Sequence, residues 1–196
     1  MDEMTVWTRQ HESVLETLER TGRYTAKRDF IVKDLEEHAE LVLEVYDWLV
    51  LHSPAAGDRP PDAEYPVWLS YTNEAAMLPI PDSVLLELSL PRRLVTAVNI
   101  EKWGAMLNYS YIPADPQDAR RHRKLLEDYG VSDAKAYISQ FYPQIKREIT
   151  GSWDRLFDDA VLLGSSAAYG NVWELRREWV RRVTRAKNQH RQLPWK

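Results

Sequence analysis

Three short stretches concentrate the side chains best suited to gripping a planar, polar ligand. Trp7-Thr8-Arg9-Gln10 sets an indole beside a hydroxyl, a guanidinium and a carboxamide. Tyr65-Pro66-Val67-Trp68, with Tyr71 close behind, and Trp103, followed by Asn108-Tyr109, add further aromatic faces next to polar groups. Pockets for small ligands combine such flat apolar faces with a few convergent donors and acceptors. The chemistry this suits is recognition of a nucleotide-like ligand or of single-stranded nucleic acid. Trp68, Tyr71, Trp103 and Tyr109 would be stacking platforms, and Arg176, Arg177, Arg181 and Arg182 would contact phosphate. The chain holds eight tryptophans in 196 residues. Of these, Trp7, Trp68, Trp103 and Trp173 mark one candidate site, whereas Trp48 and Trp153 sit at helical spacing from aliphatic residues and read as packing anchors.

Other chemistries are excluded by composition and spacing. His11, His38, His52, His122 and His190 are scattered, with no His-x-x-x-His or His-Glu-x-x-His pair to hold a metal on one helical face. The seven glycines form neither a dinucleotide-binding nor a P-loop pattern. Gly164-Ser165-Ser166 has no histidine partner, and no nucleophile elbow occurs. The pairs Asp158-Asp159 and Glu36-Glu37 read as surface carboxylates rather than an acid/base couple. With no cysteine, thiol catalysis, disulfides and cysteine-ligated metals are out.

The elements that must position these residues read as an α+β domain. Strands are expected near residues 4–8, 66–72, 84–90, 94–98, 171–175 and 180–185, and helices over 11–21, 33–51, 101–108, 116–129 and 132–159, the last interrupted at Pro143. Gly22 supplies the stop of the first helix, and Thr8 or Gln10 would cap its start. Asn108 would cap the end of the helix carrying Trp103, and residues 164–170 read as a loop of small residues. Residues 174–185 also admit a single helix. Asp47 reads as an exposed helical carboxylate. The site expected from this arrangement is bounded by the first strand, the Trp68 strand and the Trp103 helix.

Length fits a single domain over residues 1–186, followed by a basic tail at 187–196. The net charge is −4, with 44% hydrophobic and 29% charged residues, as expected of an ordinary globular protein. The positive charges gather toward the C-terminus, which supplies a salt-sensitive field for phosphate or an acidic partner, or a solvated arm. A second basic knot, Arg120 to Lys124, is offset by Asp115, Asp118, Glu127 and Asp128. No apolar run approaches the ~20 residues of a membrane span, and no leader is visible, so a cytoplasmic location is expected.

Taken in order, these motifs carry a resemblance. W-T-x-Q at Trp7 to Gln10, Gly22 with Tyr24, Y-D-W at Tyr46 to Trp48, Y-P-x-W at Tyr65 to Trp68, L-L-E-L at Leu85 to Leu88, W-x-x-x-L-N-Y at Trp103 to Tyr109, S-W at Ser152-Trp153 and V-W-E-L at Val172 to Leu175 resemble a bacterial family of uncharacterised proteins, DUF3841, over nearly the whole chain. That resemblance implies no activity. The order of a polar-ended strand, a helix, a glycine and later split-sheet strands is also similar to the ADP-ribosyltransferase superfamily. This second likeness implies an NAD-dependent transfer. Thr8 and Gln10 would bond the nicotinamide ribose, Tyr24 or Tyr46 would stack on the nicotinamide, and Glu174 would stabilise the oxocarbenium-like transition state, with Arg9 replacing the usual first-strand basic residue. Glu174 and Arg9 are therefore the candidate catalytic groups and NAD the candidate cofactor. A structural or interaction domain without a ligand is the remaining alternative.

Overall fold

The first strand, β1 (Glu3–His11), alternates buried Val6 and Thr8 with more exposed neighbours, the period-2 pattern of a sheet with one face on a core. The computed structural model describes residues 2–29 and 39–186. β1 pairs antiparallel with β4 (Ser83–Pro91) along its whole length, from Glu3 opposite Pro91 to His11 opposite Ser83. β4 in turn pairs with β8 (Val180–Arg185), giving the order β1-β4-β8. As the central strand, β4 is nearly continuous in apolar residues, with Val84, Leu86, Leu88 and Leu90 fully buried.

Helix α1 (Glu12–Thr21) follows β1 directly. Its cap is His11, whose Nδ1 accepts from the Ser13 N–H, and not Thr8 or Gln10 as the sequence suggested. Those two residues lie within β1, one to three residues too early to reach the orphan amides of the first turn. Gly22 ends the helix at φ +79°, a left-handed conformation glycine adopts without cost, and its N–H returns to Leu18 O. Val14, Leu15 and Leu18 pack with the sheet in a core that also takes Leu175 and Trp179.

A second three-stranded antiparallel sheet has the order β3-β6-β5, formed by β3 (Val67–Leu69), β5 (Thr96–Asn99) and β6 (Ala168–Val172). A two-stranded ribbon joins β2 (Arg23–Tyr24) to β7 (Leu175–Arg176). Helices α2 (Ala39–His52), α3 (Ile100–Leu107), α4 (Pro116–Tyr129), α5 (Asp133–Ile138) and α6 (Pro143–Ser152) assemble around a separate core of Val45, Leu49, Met106, Ile145, Ile149 and Trp153. The α+β architecture is as expected, and no described helix is long and apolar enough to cross a membrane.

Several boundaries move. The expected helix over 132–159 breaks into α5, α6 and a 3-10 turn (Trp153–Phe157), because Pro143 starts a new helix and cannot continue an old one. The strand expected at 171–175 begins earlier, so residues 168–170 belong to β6 and not to a loop, while Trp173 and Glu174 fall between β6 and β7. Residues 177–185 form a 3-10 turn and β8, not one long helix. The first part of the helix expected from residue 33, and the 187–196 tail, lie outside the described residues.

Gly170 is required where β6 threads between its neighbours. A Cβ there would stand 2.8 Å from Val95 Cγ1 and 3.3 Å from Leu69 Cβ, closer than packed side chains tolerate. Gly170→Ala is expected to cost about 1–3 kcal/mol through local overpacking. A urea midpoint equal to that of the parent protein would contradict it.

Candidate functional site

The two sheets touch at one backbone bridge. Trp7 N–H donates to Ser70 O at 2.9 Å, and Ser70 N–H donates to Trp7 O at 2.7 Å. Past this point the ladder stops, and a side chain continues it: Thr8, 3% exposed, donates from Oγ1 to Trp68 O at 2.8 Å. The strands then part around a cleft of about 530 Å³, within the range of small-molecule sites.

Its walls gather Trp7, Thr8, Arg9 and Gln10 from β1, Tyr24 from β2, Trp68 from β3 and Trp103 from α3. The three elements expected to bound a site therefore share one cleft. Tyr46 from α2 forms the floor of the aromatic set, meeting Trp103 edge to face at 5.2 Å and 87°, and Trp68 at 6.2 Å and 82°. Trp68 and Trp103 lie 5.0 Å apart with planes tilted 40°, and Tyr169 approaches Trp68 at 5.9 Å. Burial raises the Tyr46 hydroxyl above the usual tyrosine range, opposed by the nearby Trp68 indole, and burial alone raises Tyr24. Both phenols are neutral at physiological pH. The Trp68 Nε1–H is buried and reaches hydrogen-bond geometry with no acceptor among the described residues.

Polar groups line one side. Gln10 Nε2 donates to Thr8 Oγ1 at 2.7 Å. Arg9 is the only ionic residue among the described lining groups, and its Nη1 approaches Leu78 O at 3.4 Å. That contact ties β1 to the 71–82 segment, whose Ala75, Ala76 and Met77 close one wall.

Other expected site residues lie elsewhere. Tyr71 packs against the core of the first sheet rather than lining the cleft. Tyr109 stacks on Tyr137 at 4.8 Å and 18°, and exposed Asn108 closes α3, its Nδ2 donating to Gly104 O at 2.8 Å. Neither faces the aromatic cleft, because α3 ends one turn past Trp103 and the chain turns away at Tyr109, φ +55°. Asp47 is exposed as expected and accepts from the Tyr65 hydroxyl at 2.5 Å. Burial and that carboxylate push Tyr65 up to about 12.

Trp173, Glu174 and Arg176 line a second cleft of about 540 Å³ with Arg23, Arg93 and Trp179. There Glu174 is gripped by the Nε of Arg23 and by the Nε of Arg176, the latter at 2.7 Å. Arg23 also forks onto Asp62 with two contacts of 2.9 Å. Burial would raise the Glu174 carboxyl, but the two guanidiniums outweigh it and hold it below the usual range. The expected grouping of Glu174 with Thr8 and Gln10 is thus not formed. Glu174 is committed to joining β2 and β7, in a break between strands that the sequence reading placed inside one.

The arginines expected to contact phosphate are likewise dispersed. Arg181 pairs with Glu3 and Arg182 with Glu87, each at 3.8 Å, and Arg177 N–H donates to Gly22 O at 2.9 Å. None lines the aromatic cleft. Sequence reading missed Tyr169, Ser70 and residues 75–77 as walls. Tyr169 carries a signal in retrospect, a lone aromatic one residue before a glycine that the β6 crossing demands.

No curated protein and no solved structure matches the chain. A family model described as Domain of unknown function (DUF3841) matches residues 5–181, which carry both the aromatic cleft and the Glu174 cleft, and the chain belongs to that family.

Proposed function

We propose that the protein binds a nucleotide-like ligand, its planar ring held among Trp7, Trp68, Trp103 and the neighbouring tyrosines. The observation that carries this reading is the convergence, in one cleft, of aromatic rings from six separate elements with Thr8, Arg9 and Gln10 on its polar side. Such a cleft removes an apolar ring from water and leaves a few fixed donors and acceptors to orient it. A single cation in the lining suits a nucleoside or a nucleotide whose charged groups reach outward past Arg9. A polymer is disfavoured, because three of the four arginines that would track its backbone, Arg181, Arg182 and Arg176, are paired with Glu3, Glu87 and Glu174. NAD fits the same description as a ligand. The transfer chemistry inferred for it has less support, since Glu174 lies in the other cleft and the described lining contains no carboxylate.

Titration with adenosine monophosphate, NAD and a short single-stranded oligonucleotide, followed by tryptophan fluorescence and thermal shift, tests the reading. A mononucleotide or NAD is expected to quench fluorescence and raise the melting temperature, as any ligand selective for the folded state must. Trp68→Ala is expected to weaken binding by about 10-fold to 100-fold, the range for losing one base-stacking aromatic. Response to the oligonucleotide alone would favour the polymer, and silence toward all three would remove the reading.

A further inference from the structure

The hydrogen bonds at the polar side of the cleft fix the orientation of an amide. Trp68 O is a carbonyl and can only accept, so the Thr8 hydroxyl proton is spent on it at 2.8 Å. Thr8 Oγ1 can then only accept from Gln10, which lies 2.7 Å away. The end of the Gln10 amide that meets Thr8 must therefore be its NH2. This assignment follows from the donor and acceptor inventory, without which amide oxygen and nitrogen are indistinguishable. Gln10 is left with Oε1 and one N–H that no described residue engages, on a half-buried residue of the cleft wall.

We infer that Gln10, oriented by Thr8, selects a nitrogen-containing aromatic ring that carries an N–H donor beside an acceptor. A carboxamide offers a donor and an acceptor side by side, the arrangement that reads the adenine edge through one amino N–H and one ring nitrogen. The exocyclic carboxamide of a pyridine presents the same pair. The aromatic walls hold either ring flat, and burial keeps Thr8 from exchanging its bond to Trp68 O for water. Gln10 touches the ligand, and Thr8 acts through Gln10 as a positioning residue. The inference rests on the nucleotide-binding reading of this cleft and names what that cleft chooses.

The test compares ligand pairs that differ only at the edge in question: adenosine against purine riboside, which lacks the amino group, and nicotinamide against 3-acetylpyridine, which lacks the amide N–H. Affinities are measured by fluorescence titration on the full chain, with circular dichroism confirming the fold of each variant. The wild type is expected to prefer the donor-bearing member of at least one pair by about 10-fold or more, and the pair that shows the preference identifies the ring. Gln10→Ala should abolish the preference while the donor-lacking analogue binds as before. Thr8→Val should reduce it and Thr8→Ser restore it, a pattern that loss of packing alone would not produce. Equal affinities within both pairs, or a preference that survives Gln10→Ala, overturns the inference and leaves ring binding standing. Absence of binding by all four compounds overturns both.

Discussion

Trp153→Ala is expected to destabilise the protein by about 3–5 kcal/mol, a large share of the ~5–15 kcal/mol that holds a domain folded. Trp153 is 1% exposed and sits where α6 passes into its 3-10 turn. Its ring stacks on Tyr137 at 5.5 Å and meets Trp48 edge to face at 6.0 Å, so three helical segments converge on one indole. Truncation opens a cavity lined by these rings and by Ile145 and Ile149, which α5 and α6 cannot close without shifting. It also strips Ser110 O of the indole N–H that donates to it at 3.1 Å. Trp153→Phe keeps most of the apolar contact and loses that bond, so it should cost clearly less. For a chain of this length the alanine variant should melt roughly 10 °C lower. Denaturant unfolding with both variants checks it, and an alanine penalty below about 1 kcal/mol would show that the helical core does not depend on this residue.

The packing role of Trp153 was legible because helical periodicity ties an indole to aliphatic neighbours in the same segment. The same is true of α4, whose Asp115 cap, Pro116 start and Gly130 stop are all local signals. Legibility fell where an element is defined by a partner distant in the chain. Between β6 and β7, Trp173 and Glu174 read as strand because the run is apolar and aromatic, yet pairing stops at Val172. Register comes from contacts across the sheet, which sequence alone does not carry.

The candidate site divides in the same way. Trp7, Thr8, Gln10, Trp68 and Trp103 line one cleft, and each was legible because it couples a large ring or a polar group to a short distinctive setting. Asn108 and Tyr109 were grouped with Trp103 by proximity in sequence, but both lie past the last residue of α3, five and six positions after Trp103, where the chain turns away from the Trp103 face. Glu174 was grouped with Gln10 by analogy of order along the chain. Its two arginine partners lie 151 and 2 residues away, and the first of these could not be read from sequence. The basic knot at Arg120 to Lys124 shows the same limit. Asp118 was named as a partner, whereas Glu148 and Asp133, from other helices, were not.

That last cluster makes the second prediction. His122 is 4% exposed, with Nδ1 2.8 Å from Glu148 Oε1 and Nε2 2.7 Å from Asp133 Oδ1, and its ring stacks on Tyr111 at 4.0 Å. Ionised carboxylates only accept, so both ring nitrogens must donate and the ring is an imidazolium. Burial pushes His122 down, but Asp133 and Glu148 outweigh it and the net shift is upward. Burial also opposes ionisation of Glu148, which Arg121 and His122 nonetheless hold below its usual range. Asp118 falls to about 2: burial would raise it, but the Ala114 N–H, the Tyr111 hydroxyl and Arg121 prevail. The signs of the two linkages are opposite. The contribution of His122 is full below its unfolded value of about 6.5 and is lost as pH rises through its higher folded value. Those of Glu148 and Asp118 are full above their unfolded values of about 4 and are lost as pH falls through their lower folded ones. Stability should therefore be greatest between about pH 4.5 and 6.5 as far as this cluster decides it, and should decline on the alkaline side. His122→Ala leaves two half-buried carboxylates without the cation they share and is expected to cost about 3–5 kcal/mol near pH 6. Its deficit should shrink as pH rises through the raised folded value of the ring and the wild-type imidazolium gives up its proton. Urea midpoints of both proteins at about pH 6 and about pH 9, with the His122 ring titration followed by NMR, decide the matter. A deficit independent of pH, or a ring that titrates at or below about 6.5, would mean that the histidine packs against Tyr111 without holding the three helices by charge.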